Sequence, residues 1–142
     1  MKPSEVLAQA TEMLEKNWAD GTLQDGFGNV CAMGAISMAK MDFAEYPMDA
    51  DHAANYREEF RALRKAMSRA PRTKAWEKVR DKWDSTRKAY DGRRTQLMMD
   101  QVTQDALVSL NDDDRAGQAE VVRVFKAATC IAKQKETRNA KS

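Results

Sequence analysis

The feature that most constrains this chain is a stripe of apolar side chains, Ala53, Tyr56, Phe60, Leu63, Met67 and Ala70, spaced 3, 4, 3, 4 and 3 residues apart. Such a series falls on one face only if the backbone is α-helical. Pro71 stops that helix, because it has no amide hydrogen and its ring clashes with the preceding turn. Thr73 offers a new N-cap, after which Trp76, Val79, Trp83 and Tyr90 resume the stripe. Two helices joined by so short a link read as a long antiparallel αα-hairpin over residues 50–91. Whatever the rest of the chain does, it must supply apolar surface to cover both stripes.

The flanking segments are helical as well. From Lys2 to Trp18, Pro3 and Ser4 suit an opening turn, and Val6, Leu7, Ala10, Met13, Leu14 and Trp18 recur at helical spacing. Val30 to Met41 carries small and apolar residues nearly all round, which predicts a short buried helix, with Gly28 or Asn29 as its cap. Leu97 to Leu110 forms another helix through Met99, Val102, Ala106 and Leu110, and a last one starts near Gln118 and uses Val121, Val124, Phe125, Ala128 and Ile131. The polar end, residues 134–142, is expected to fray. Thr22 to Gln24 is the one candidate extended piece, too short to make this an α/β protein. The expectation is therefore all-α, a compact domain of about five to six helices. A length of 142 residues fits a single domain over 1–142.

Charge is unevenly placed. Residues 1–56 hold three Lys or Arg against nine Asp or Glu, residues 57–94 fourteen against six, and residues 95–142 seven against seven. An acidic front and a basic middle point to internal pairing or to a polarised surface that meets a partner. The sequence contains no apolar run approaching the roughly 18 residues of a membrane span, and its start lacks an apolar signal core. With two widely separated cysteines, Cys31 and Cys130, the reading is a reduced protein of the cytoplasm with no membrane partner.

Four of the six glycines crowd between Trp18 and Lys40, in WADGTLQDGFGNVCAMGAISMAK. Glycines and a cysteine at a helix start are the material of sites, and three chemistries can be set against the stretch. Cys31 near a helix N-terminus could be a lowered-pKa nucleophile, with His52, the sole histidine, as base and Asp49 or Asp51 to orient it. No local signature accompanies that pair, and a packed structural cysteine explains it as well. Asp20 to Cys31 puts Thr22 and Gln24 where an EF-hand needs ligands and ends without the bidentate Glu, so a calcium loop fails. Gly26-Phe27-Gly28 matches neither phosphate-loop pattern. Asp112-Asp113-Asp114 reads as capping and dipole compensation ahead of the last helix rather than as a cation site. No catalytic residue, metal or cofactor is assigned. The stretch reads instead as a structural corner, made by Trp18, Gly21, Gly28, Cys31 and Gly34, that receives the turn at Asn111 and Asp112.

The two ends of the chain resemble a small uncharacterised family of actinobacteria and their phages. The resemblance lies in Trp18, Gly21, Asp25, Gly28, Cys31, Gly34 and Ala35, and in Leu110, Asn111, Asp112, Val121, Phe125, Ala127 and Ala128. It implies a family-like helical core made of residues 1–45 and 95–135, with the basic hairpin 50–92 as an elaboration, and a small bacterial or phage protein that alters host function by binding. It carries no catalytic residue over.

The functional expectation is thus a non-enzymatic protein that binds a cellular or host protein, or itself, through the hairpin. Its candidate contact residues are Arg57, Arg61, Arg64, Arg72, Trp76, Arg80, Trp83, Arg87 and Tyr90. The alternative uses the same basic hairpin to bind nucleic acid through its phosphates.

Overall fold

The computed structural model describes residues 1–19, 30–42, 50–69, 74–89, 96–113 and 117–141. Among them the fold is all-α. It comprises α1 (Pro3–Asn17), α2 (Ala32–Ala39), α3 (Ala50–Ala53), α4 (Arg57–Ser68), α5 (Lys74–Ala89), α6 (Gln96–Asn111) and α7 (Gly117–Ala140), with a 3₁₀ turn at Ala54–Tyr56 joining α3 to α4. One isolated parallel bridge, Trp18 with Val30, is the β-type pairing among the described residues. The extended piece expected at Thr22–Gln24 lies outside them.

The stripe that opened the sequence reading is buried throughout its described length. Ala53, Tyr56, Phe60, Leu63 and Met67 all face the core. Each large apolar side chain so covered contributes about 1.5–3 kcal/mol. The principal neighbour of α4 is α7, far from it in sequence, whereas that of α5 is α6, the next helix along the chain. The link at residues 70–73, on which the hairpin reading depends, lies outside the described residues.

Helix α6 runs through the middle, touching α2, α3, α4, α5 and α7. Being covered on several sides, it buries polar as well as apolar side chains: Met98 and Leu107, but also Asp100, Thr103 and Gln104. That is why its apolar stripe is narrower than its buried surface, and why the expected face misplaced one residue. Met98 is fully buried while Met99 is half-buried.

α1 lies antiparallel along α7, since Ser4 meets Glu136 at one end and Gln118 meets Leu14 at the other. The tail expected to fray from residue 134 is helical as far as Ala140. Its anchors explain the difference. Glu136 Oε1 accepts from the amide (3.3 Å) and hydroxyl (2.9 Å) of Ser4, and Lys135 Nζ donates to Glu58 at 2.7 Å. The polar Lys135 and Glu136 each have a partner on another helix. None of the described helices is long and apolar enough to cross a membrane.

Candidate functional site

At the corner, three backbone ends converge on one side chain. Asn111, at the end of α6 and 2% exposed, uses its Oδ1 to accept from the indole Nε1–H of Trp18 at 3.0 Å and from the amide of Ala32 at 2.9 Å. Its Nδ2 donates to the carbonyl of Ala19 at 3.2 Å and to Asp112 at 3.3 Å. Ala32 is the first residue of α2, so Asn111 satisfies from another helix one of the amides that a helix start leaves without a partner. The N-cap itself is Cys31, whose Sγ accepts from Gly34 at 3.4 Å, and not the residue 28 or 29 expected from the sequence. At the other helix of the corner, Gln118 Nε2 donates to the carbonyls of Leu14 and Glu15, closing the end of α1. The corner residues Gly21 and Gly28 lie outside the described residues.

The cations of α4 and α5 are of two kinds. Arg57 donates to Asp100, which is 1% exposed, at 3.1 Å, and Arg64 donates to Thr103 at 3.1 Å, so both are turned onto α6. Arg61 spans Glu58 at 3.0 Å and Gln96 at 3.4 Å. These α4 arginines, read from the sequence as partner contacts, are engaged within the chain. The reason is that α6 places carboxylate and carbonyl acceptors beside α4, which periodicity in α4 alone does not reveal. Trp76, also a contact candidate, is buried, and its Nε1–H donates to Glu120 at 2.8 Å while Arg123 lies over its ring. Arg123 and the indole together hold the Glu120 carboxyl below its ordinary value.

Trp83 is half-buried against the core, Arg87 is half-buried and Arg80 is exposed. With Met67, Val79 and Asp84 they line an open groove of about 440 Å³ between the end of α4 and α5. Its floor is apolar and its rim carries two guanidinium groups and one carboxylate. That combination is suited to taking an apolar side chain of a partner and orienting it by charge. Arg72 and Tyr90 lie outside the described residues.

The model of a family of unknown function, DUF6197, matches residues 1–129 of the chain. The chain belongs to that family. No curated protein and no solved structure matches it. The DUF6197 match spans the corner, the basic α4 and α5, and α7 up to its middle.

Membership in DUF6197 assigns no chemistry, so the reactive side chains stand on their geometry. Burial pushes the Cys31 thiol above its ordinary value and Asp112 adds to it, outweighing the amides of Gly34 and Met33 that pull the other way. That direction is opposite to the lowering by which a helix start activates a thiol. His52, the proposed base, is paired with Asp42 at 2.7 Å and stacked on Tyr56. Among the described residues no group of three or more His, Cys, Asp or Glu could hold a metal ion. Asp113 is buried and faces Lys78 at 3.6 Å.

Sequence reasoning missed a polar clasp behind α2. Asp42 accepts from Tyr56 Oη at 2.9 Å as well as pairing with His52, and Lys40 donates to the Asn55 carbonyl at 2.6 Å and to buried Glu59 at 2.9 Å while lying over the Tyr56 ring. His52 and Tyr56 are four residues apart, a spacing that would have put them on one face. Nothing in the pattern marked Asp42 as their acceptor. Its position follows from the end of α2, where Met41 takes φ 55° and the Asp42 amide bonds back to Ser37 at 2.8 Å in a Schellman turn.

Proposed function

We propose that this DUF6197 protein is a non-enzymatic interaction protein that binds a cellular or host protein by taking one of its side chains into the α5 groove. The observation that supports this reading is the groove itself: Trp83 and Val79 beside Met67, rimmed by Arg80, Asp84 and Arg87. An aromatic anchor flanked by arginines is the composition of energetic centres in protein interfaces. We place it in the cytoplasm of an actinobacterium or of a phage-infected host, in line with the motif resemblance. Cys31 is buried and that burial pushes its thiol up, which favours binding over thiol catalysis.

Nucleic-acid binding through the hairpin is the weaker reading. Arg57 and Arg64 turn onto α6, and the one described aromatic left half-exposed on α5, Trp83, sits in the groove rather than in a stacking row.

The test immobilises the full chain beside a Trp83→Ser/Arg87→Glu variant and passes an actinobacterial lysate over both. A protein retained by the wild type and lost by the folded variant is expected. Equal recovery on both, or retention that nuclease abolishes, contradicts the reading.

A further inference from the structure

We propose that the seam between α4 and α7 is a second docking site, built for an acidic amphipathic helix of a partner protein. Two open depressions, of about 630 and 240 Å³, lie along this seam and share Ile131. Lys135 reaches Glu58 at one end, and Arg69 lies with Arg123 at the other, so the two helices run antiparallel and the depressions form one trough. Its floor is made of small or modest apolar side chains: Ala62, Ala66, Ala127 and Ile131. Its rim carries Arg61, Lys65 and Arg69 on α4 and Arg123, Lys135 and Arg138 on α7, of which Arg61 and Lys135 pair with Glu58 and Arg123 pairs with Glu120.

The trough's two carboxylates are outnumbered by its six cations, so it stays net positive. Glu58 is held by Lys135 at 2.7 Å and by Arg61 at 3.0 Å, and its carboxyl is lowered accordingly, while Glu136 accepts from Ser4. Lys65 and Arg69 are exposed.

Alanines in the floor let another backbone come close, and a helix lying in such a trough would place apolar residues at i, i+3, i+4 and i+7 on the floor. Flanking Asp or Glu would then meet cations on either wall. A nucleic-acid strand fits less well. Among the described residues no aromatic ring lines the trough for bases to stack on, and phosphates gain nothing from an alanine floor. This site is separate from the α5 groove, because α4 turns residues 61, 62, 65, 66 and 69 to the trough and residues 67 and 68 to the groove. On α7 the trough extends to residues beyond 129, where the family match ends.

The test is fluorescence anisotropy of the full chain with a labelled amphipathic peptide of about five helical turns, leucines on one face and glutamates on its flanks. A lysine-flanked counterpart and a single-stranded oligonucleotide serve as competitors. The glutamate peptide is expected to bind, to weaken with added salt, and to lose about tenfold or more in affinity with a Lys65→Glu/Arg69→Glu variant whose helical circular dichroism is unchanged. Trp83→Ser, in the other groove, is expected to leave this binding intact. Equal affinity for the two peptides, no binding of the glutamate peptide, or displacement by the oligonucleotide with the same variant sensitivity would overturn the assignment.

Discussion

The indole Nε1 of Trp18 donates to Oδ1 of Asn111 across 93 positions of chain, at 3.0 Å. The same oxygen accepts from the Ala32 amide, so one side chain ties the end of α1, the start of α2 and the end of α6. With the acceptor removed, two donors in a mostly water-free corner lose their partner.

Asn111→Ala is therefore expected to cost about 2–4 kcal/mol in urea unfolding, since each stranded buried polar group costs about 1–3 kcal/mol. Asn111→Asp keeps the acceptor but sets a buried carboxylate against the Ala19 carbonyl and Asp112, so it should not restore wild-type stability. A loss below about 0.5 kcal/mol for the alanine variant would show that the corner does not depend on this side chain.

Met41 is exposed and holds φ 55°, the left-handed position after a helix that glycine usually fills. Replacing it removes no buried contact and relieves the clash of Cβ with its own carbonyl. Met41→Gly should stabilise the protein by about 0.5–1 kcal/mol, read as a shift in thermal midpoint. A destabilised variant would contradict the Schellman geometry that carries Asp42 toward Tyr56 and His52.

Burial, reinforced by the Asp42 carboxylate, raises the Tyr56 phenol from 10.0 to about 12. A group whose folded pKa is raised gives stability that is complete below its unfolded value and is lost as pH rises through the folded one. Unfolding free energy should therefore fall between pH 10 and about 12. In Tyr56→Phe that decline should be shallower, and one phenolate should be missing from the ultraviolet titration near pH 12. An unchanged titration would place the phenol in solvent.

Of the two thiols, Cys31 is buried and raised while Cys130 is exposed. Iodoacetamide at pH 8 should label one site rapidly in the native protein and both after unfolding, with Cys130→Ser removing the fast one. Rapid native labelling of Cys31 would restore the nucleophile reading.

Much of this fold is legible in the sequence. The 3-and-4 spacing from Ala53 to Met67 fixes which face of the helix is buried, and the structure buries that face. Periodicity does not say against what. The α6 acceptors that draw Arg57 and Arg64 inward come from a helix about 40 residues away, so the two arginines look in sequence like any solvated cation. The tail shows the same limit, because Glu136 and Lys135 look like a fraying end until Ser4 and Glu58 are placed beside them. The sequence names the turn at Asn111 and Asp112 as the piece the Trp18 corner receives, without choosing between the two side chains. That Asn111 makes the contacts, and that Cys31 caps α2, follows only from three-dimensional placement.

The central claim, that the face of α5 meets a protein partner, is tested most directly by photo-crosslinking in an actinobacterial lysate. A benzophenone amino acid is placed at Arg87 in one full-length chain and at Glu12, exposed on α1, in another. The account predicts a discrete protein adduct from position 87, suppressed by excess unlabelled chain, and none from position 12. No adduct from position 87, an adduct only with a second copy of the chain, or the same products from both positions would contradict it.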